Sequence, residues 1–150
     1  MMTMVFDKIL VTTDGSEYTK AAIAKAMELA KLSGGTITAL YVIDQSIFRN
    51  VPTDTAVMNV YHSLENEGKA AVAYVENLGE KHGVKVERKL IEGVPVEIIP
   101  RMSEDYDIVV MGTLGRSGIS KLLMGSVTEK VIRSSRSPVM VVRSLEADKK

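Results

Sequence analysis

Five short apolar segments alternate with helical patterns along this chain of 150 residues, and this alternation restricts the possible folds more than any other feature. The apolar segments are rich in β-branched residues, whereas the stretches between them repeat apolar residues every three or four positions. Strands that alternate with helices favour a parallel sheet covered by helices on both faces, joined by right-handed crossovers. The predicted strands are residues 5–11, 36–43, 84–90, 107–111 and 138–142, of which the third alternates polar and apolar residues as a strand near an edge does.

The helical segments between these strands have recognisable ends. Ser16 is placed to cap the first predicted helix and Gly34 to end it, and Gly83 ends the long second helix. Pro100 lies deep enough in the short third helix to remove a hydrogen bond and kink it. A polar connection, residues 44–53, precedes the second helix and is longer than most connections, which favours mobility.

Charge and composition exclude several functions. The 19 basic and 19 acidic side chains cancel, so no overall field attracts nucleic acid or an anionic membrane. The chain has no cysteine, which excludes disulfides and thiol catalysis and is typical of cytosolic proteins. Residues 1–7 are too short and too soon acidic for a signal peptide, and no apolar run approaches the roughly 18 residues of a membrane span. We therefore expect one cytoplasmic domain over residues 1–150, with neither nucleic acid nor a membrane as a partner.

One glycine-rich segment, residues 112–128, joins the fourth predicted strand to the fourth predicted helix, residues 125–134. Open α/β sheets bind phosphates at such strand-to-helix junctions. The glycines let backbone N–H groups approach an anion, while Ser126 and Thr128 add hydroxyl donors. A second interpretation stays open, since Ser126 and Glu129 also fit an S-x-x-E capping box that only satisfies the helix N-terminus.

The glycine spacing in this segment is G-2x-G-9x-G-[ST], formed by Gly112, Gly115 and the pair Gly125-Ser126. It is neither the G-x-x-x-x-G-K-[ST] phosphate loop nor the G-x-G-x-x-G dinucleotide fingerprint. The pattern resembles that of the universal stress protein family, and in particular its ATP-binding branch. The similarity covers nearly the whole chain and includes K-I-L-V-T-T-D-G-S from Lys8, L-Y-V-I-D from Leu40, I-V-V-M-G from Ile108, L-L-M-G-S-V-T-E-K-V from Leu122 and S-P-V-M-V-V from Ser137.

The resemblance implies a universal stress protein domain over residues 1–150, with a doubly wound five-stranded parallel sheet of order 3-2-1-4-5. This is a Rossmann-like fold of the adenine nucleotide alpha hydrolase type. Its switch point lies between the first and fourth strands, so the segments that leave these strands should face each other across one crevice.

The resemblance also implies that this crevice binds ATP. The Asp14 carboxylate would accept a hydrogen bond from ribose or adenine, the Val42 backbone would meet the adenine edge, and backbone amides of residues 112–115 and 125–128 would hold the phosphates. The implied binding residues are Thr12, Thr13, Asp14, Val42, Met111, Gly112, Gly115, Arg116, Gly125, Ser126, Val127 and Thr128.

Two of these interpretations have plain alternatives. Asp14 precedes Gly15 and fits an ordinary Asp-Gly turn. Arg116 and Lys121 are placed to neutralise phosphate, but solvated loop charges would look the same in the sequence.

Catalytic groups are not evident. His62 and His82 fall in predicted helix surface away from the crevice, and neither a catalytic serine-histidine pairing nor metal-ligand spacing is present. A Mg²⁺ ion bridging phosphates with mostly water ligands is compatible with this residue set. We predict no catalytic or metal-ligating residue, and therefore nucleotide binding rather than turnover, with any hydrolysis slow or partner-dependent. A weak ATPase or phosphotransferase and a nucleotide-independent chaperone-like or scaffold dimer are the alternatives.

The fifth strand would be an edge of the sheet, yet its residues Val139, Met140, Val141 and Val142 are all apolar. A bare apolar edge favours pairing with another strand. The resemblance implies that two chains add these strands antiparallel across a two-fold axis, giving a homodimer. Helices covering both faces would explain the apolar faces but leave the edge unpaired. We expect a sensor dimer in the stress response whose surface, altered by bound nucleotide, is recognised by an unidentified protein partner.

Overall fold

The computed structural model describes residues 5–113 and 124–144. Five strands form one sheet, in the order β3-β2-β1-β4-β5, and every neighbouring pair is parallel. The predicted doubly wound fold and its strand order are therefore confirmed. In chain order the strands are β1 Lys8–Thr12, β2 Thr36–Asp44, β3 Val86–Gly93, β4 Ile108–Gly112 and β5 Val139–Val142.

Helices cover both faces of this sheet. They are α1 Lys20–Ser33, α2 Thr55–His82, α3 Pro95–Ser103 and α4 Ser126–Ser134, with 3₁₀ turns at Glu17–Thr19 and Gln45–Phe48. The buried residues of α1 and α2 pack on one face, and those of α3 and α4 pack on the other. No helix within residues 5–113 and 124–144 is long and apolar enough to cross a membrane.

The central strand β1 shows why the sequence pattern predicted this arrangement. Ile9 and Val11 point toward α1 and α2, whereas Leu10 between them points toward α3 and α4. All three side chains have 0% exposure. A strand covered on both faces has no polar side to show, so it appears in the sequence as a continuous apolar run.

Two predicted boundaries at the start of the chain are wrong. The first strand begins at Lys8 rather than at residue 5, because Phe6 has a left-handed backbone, with φ of 63°, that ends the extended conformation. Ser16 does not cap α1, since the 3₁₀ turn comes between them and Thr19 is the residue that precedes the helix.

The predicted helix ends are confirmed. Gly34, with φ of 75°, ends α1 and donates its N–H to the Ala30 carbonyl, and Gly83, with φ of 69°, ends α2. Both conformations favour glycine because a Cβ is disfavoured in the left-handed region. Pro100 lies inside α3, as predicted, and β3 forms one edge of the sheet.

Candidate functional site

A cavity of about 370 Å³ lies at the carboxyl ends of β1, β2 and β4, where the strand order reverses. Gly115, Arg116 and Lys121 lie outside the described residues. The other ten predicted binding residues all line this cavity. They are Thr12, Thr13, Asp14, Val42, Met111, Gly112, Gly125, Ser126, Val127 and Thr128.

A network of hydroxyl groups fixes the turn that leaves β1. The Thr13 N–H donates to the Leu40 carbonyl at 3.0 Å, which extends the β1–β2 pairing by one residue. The Thr19 hydroxyl donates its hydrogen to the Ser16 carbonyl at 2.9 Å. Since a threonine has a single hydroxyl hydrogen, Thr13 must be the donor in its 3.1 Å bond to Thr19. The Thr13 oxygen also accepts the Gly15 N–H, so this buried pair holds the turn rigid.

Asp14 forms the turn that its sequence position predicted and also lies at the cavity. Its Oδ1 accepts the Ser16 N–H at 2.9 Å, closing a turn that passes through Gly15 with φ of 82°. The same side chain lines the cavity. The bond to Ser16 therefore holds the carboxylate in the turn at the edge of the cavity.

Val42 presents both of its backbone polar groups to the cavity. Thr36 donates to Asp7 and Leu40 accepts from Thr13, which shows that the even-numbered residues of β2 face β1. In the described pairing β1 ends at Thr12, opposite Leu40, so β1 has no residue opposite Val42. The Val42 N–H and C=O therefore point together, one donor beside one acceptor, into the space that β1 leaves open.

The amino end of α4 forms the opposite wall. Gly125 is the capping residue, since its carbonyl accepts the Glu129 N–H at 3.0 Å. The capping-box interpretation of Ser126 is therefore wrong, because Ser126 is the first helical residue and the Glu129 carboxylate instead binds Arg133 at 2.8 Å. Within α4, all of whose residues are described, the N–H groups of residues 126–128 precede the first intrahelical donor and carry the positive end of the helix dipole.

Several groups of the predicted phosphate cradle already have structural partners. The Gly125 N–H donates to the Thr113 carbonyl at 2.6 Å, and the Thr113 N–H donates to Val142 at 3.1 Å. The buried Thr128 hydroxyl donates to the Gly112 carbonyl at 2.8 Å. These bonds tie α4 to the end of β4. At the described amino end of α4, the donors left to bind an anion are therefore the three N-terminal amides of the helix and the exposed Ser126 hydroxyl.

The walls at the β2 end are apolar and were not identified from the sequence. Ile47 and Leu64 come from the face of the sheet that α2 covers, and Pro95 and Ile99 come from α3 on the other face. In the sequence, the one signal for these walls was the long connection after β2, because that connection forms the turn that carries Ile47. The lining residues missed from the sequence are Thr19, Leu40, Tyr41, Asp44, Ile47, Leu64, Pro95 and Ile99.

The acidic groups of the described lining are Asp14, in the turn after β1, and Asp44, the last residue of β2. The Asp44 Oδ1 caps the 3₁₀ turn, accepting the Ser46 N–H at 2.9 Å and the Ser46 hydroxyl at 2.6 Å. Among the described residues, no group of three or more His, Cys, Asp and Glu side chains could hold a metal ion. Both histidines lie exposed on α2, as predicted.

A parallel doubly wound sheet with a cavity at its switch point, apolar at one end and lined by helix N-terminal amides at the other, defines an open α/β domain of the kind that binds ligands at this position. The Universal stress protein family model matches residues 6–143. The chain therefore belongs to the universal stress protein family, which confirms the resemblance seen in the sequence.

Individual relatives agree with this assignment. Universal stress protein MJ0531 of Methanocaldococcus jannaschii is 36% identical over 141 residues, which cover 93% of this chain and 83% of that protein. The structure of MJ0577 from the same organism has a TM-score of 0.78 and 32% identity, covering 93% of this chain and 97% of that one. A universal stress protein of Archaeoglobus fulgidus in complex with dAMP has a TM-score of 0.63 and 21% identity, covering 93% and 99% of the two chains.

Proposed function

We propose that this protein binds ATP in the switch-point cavity and acts as a nucleotide-dependent regulatory dimer. The observation that carries the proposal is the polarity of the cavity along its length. Apolar side chains and one backbone donor–acceptor pair lie at the β2 end, where the one charged side chain of the described lining, Asp44, is bonded to Ser46. Helix N-terminal amides lie at the α4 end. A nucleoside phosphate has the same polarity, with a flat base at one end and negative charge at the other.

The β2 end suits adenine. Adenine carries an amino donor next to ring-nitrogen acceptors, which complements the paired C=O and N–H of Val42. Leu64 on one side and Pro95 on the other would enclose the faces of the base. The complex of an A. fulgidus relative with dAMP supports an adenine nucleotide as the class of ligand.

The α4 end suits phosphate. The amides of Ser126, Val127 and Thr128 would donate to phosphate oxygens, where the helix dipole also favours negative charge. Asp14, held between the two ends by its bond to Ser16, would accept from a ribose hydroxyl. Gly115 and Arg116 belong to the proposed site by their place in the glycine pattern. A Mg²⁺ ion would be held by phosphates and water more than by protein.

The side chains around the cavity favour binding over turnover. Of the two carboxylates in its described lining, Asp44 is bonded to Ser46 at the β2 end, remote from α4. Asp14 is fixed in the turn after β1. A hydrolase needs a positioned water and stabilisation of the developing charge, and these carboxylates are better placed for a nucleoside than for a water at the terminal phosphate.

Calorimetric titration with ATP and Mg²⁺ tests the proposal directly. We expect saturable binding, tighter for ATP than for GTP, and recovery of the nucleotide intact after hours. No binding at millimolar ATP would remove the proposed function. Conversion of bound ATP to ADP in a single turnover would instead favour the slow ATPase.

The dimer is proposed through the free edge of β5. Val109 donates to the Pro138 carbonyl and Thr113 to Val142, so the even-numbered residues of β5 face β4. The N–H of Val141 therefore points away from the sheet. Val141→Pro should weaken or abolish the dimer in sedimentation experiments and should keep the fold. Proline is tolerated at a position whose N–H takes no part in the hydrogen bonds between β5 and β4. A monomeric wild type, or a dimer unaffected by this change, would contradict the proposed interface.

A further inference from the structure

Gly68 of α2 packs directly against the ring of Tyr41 in β2. A Cβ built on Gly68 would lie 2.6 Å from Cδ1 and 2.9 Å from Cε1 of Tyr41. The Tyr41 side chain is 3% exposed and packs in the core between α1, α2 and the sheet, so neighbouring side chains hold its ring beside position 68. Any side chain at position 68 would therefore push α2 and the ring apart.

This contact is adjacent to the cavity. Tyr41 precedes Val42 in β2, and both residues line the cavity wall. Leu64 lies four residues before Gly68, one turn earlier on the same face of α2, and it lines the cavity as well. The height of Leu64 above the end of β2 therefore depends on how closely α2 packs on the Tyr41 ring.

The two halves of α2 are held unequally. After Gly68, the helix is anchored in the core by Ala71, Val72, Val75 and Gly79. Before it, residues 55–63 are mostly exposed, and Tyr61 contacts Phe48 of the 3₁₀ turn with ring centroids 6.1 Å apart. A side chain added at position 68 would therefore displace the first half of α2, which has few buried contacts, rather than the second half, which is anchored in the core.

We propose that Gly68 is a positioning residue of the base-binding end: its missing side chain seats α2 on Tyr41 and so brings Leu64 onto the base. The proposal rests on the proposed function, because it concerns the same cavity. It adds a residue that does not line the cavity and that the glycine pattern of residues 112–128 does not include.

Gly68→Ala tests this role, and Gly79→Ala is its control. We expect the Gly68 variant to bind ATP about tenfold more weakly, as expected if most of one leucine's contact with the base is lost. A Cβ at Gly79 would lie 2.5 Å from Cγ2 of Val86 and 2.7 Å from the Val84 carbonyl oxygen, so crowding there is at least as severe. Gly79 lies in the same helix but beyond the cavity, and its variant should lose stability while keeping its affinity for ATP.

Two double variants show whether the loss of ATP affinity in Gly68→Ala depends on Tyr41 and Leu64. Tyr41→Leu removes the ring atoms that the new Cβ would meet, so Gly68→Ala should cost less affinity in that background than in the wild type. Leu64→Ala removes the side chain that is displaced, so adding Gly68→Ala to it should cause little further loss. Equal losses in every background would overturn the proposal.

Hydrogen exchange separates this inference from the proposed function. In the unliganded Gly68 variant, amides of residues 55–67 should exchange faster while those of residues 69–82 stay protected. A wild type that fails to bind ATP would remove the proposed function, yet this exchange difference would still support the seating role. If the wild type binds ATP, unchanged affinity in the Gly68 variant, or equal losses in the Gly68 and Gly79 variants, would overturn the inference. If Gly68→Ala does not fold, the ATP affinity of Leu64→Ala tests the inference instead. An unchanged affinity in that variant would show that Leu64 does not contact the base and would overturn the inference.

Discussion

The β2 end and the α4 end of the cavity are built by different means. At the α4 end the proposed binding groups are backbone amides of consecutive residues, 126–128, which any sequence with the right local conformation can provide. At the β2 end the walls are side chains from four separate segments, among them Ile47, Leu64 and Pro95. Under the proposed function, recognition of the phosphates would depend on one local segment, whereas recognition of the base would depend on packing between distant segments.

The largest effect that we predict comes from Gly125→Asp at the α4 end. Gly125 has the extended backbone of a capping residue, with φ of −73° and ψ of 161°, and aspartate is among the best residues at that position. Its carboxylate would bond to the helix N-terminal amides itself. ATP affinity should fall by about a hundredfold or more, comparable to losing two charge-assisted hydrogen bonds, while thermal stability is kept or raised.

Gly125→Asn is the matched control for charge. Asparagine caps a helix about as well and has nearly the same shape, so it should reduce ATP affinity less than aspartate does. Adenosine, which has no phosphate, should bind both variants almost as well as the wild type. Equal losses for adenosine and ATP would mean that α4 does not contact the phosphates.

The next largest effect should come from Val42→Pro at the β2 end. Proline removes the N–H that points into the cavity but leaves the bonds of β2 to β3, which involve the odd-numbered residues. One lost hydrogen bond should weaken ATP binding by about five- to tenfold and narrow the preference for ATP over GTP. Competition titrations would measure both quantities.

Val42→Ala keeps the N–H and removes only side-chain atoms, so it should retain the preference for ATP over GTP. The two α4 variants should also retain it, because they act on phosphate alone. If Val42→Pro discriminates between the bases as well as the wild type does, the assignment of Val42 to the adenine edge is wrong.

The contrast between the two ends also explains what the sequence could predict. Gly112 and Gly125 belong to a glycine spacing within one short stretch of sequence, so the pattern pointed to the α4 end directly. Ile47 lies in the turn after β2 and Pro95 begins α3, and their positions at the crevice depend on how whole helices pack. An apolar residue at such a place has no local mark of that role in the sequence. Even at the α4 end one of the two interpretations left open was wrong, because Ser126 fits a capping box in the sequence whereas Gly125 holds the capping position in the fold.

A third prediction tests the turn that joins the two ends. Thr19→Val would leave the buried Thr13 hydroxyl without its acceptor, at a cost of about 1–3 kcal/mol in the free energy of unfolding. Asp14 would lose part of its support, so ATP affinity should fall a few-fold. Because the turn lies between the ends, the preference for ATP over GTP should not change.

Thr19→Ser is the control for this change, since serine keeps the hydroxyl that donates to Ser16 and accepts from Thr13. Thermal denaturation and titration together should show near wild-type behaviour for serine and losses for valine. A valine variant with unchanged stability would mean that the hydroxyl network does not support the turn.

The smallest effect should come from the charged pair on the outer side of the same turn. The hydrogen bond and charge of Glu17 raise the pKa of Lys20 above its usual value, but both side chains are exposed, at 43% and 69%, and such pairs contribute little. A raised pKa in the folded state means that the contribution is complete below the usual lysine pKa and is lost as pH rises through the raised value. Glu17→Gln should therefore change neither ATP affinity nor stability measurably at neutral pH, and NMR titration should show the pKa of Lys20 returning toward its usual value. A clear loss of ATP affinity at neutral pH would show instead that the Glu17–Lys20 pair helps to position Asp14. The turn after β1 would then contribute to ATP binding in addition to the two ends of the cavity.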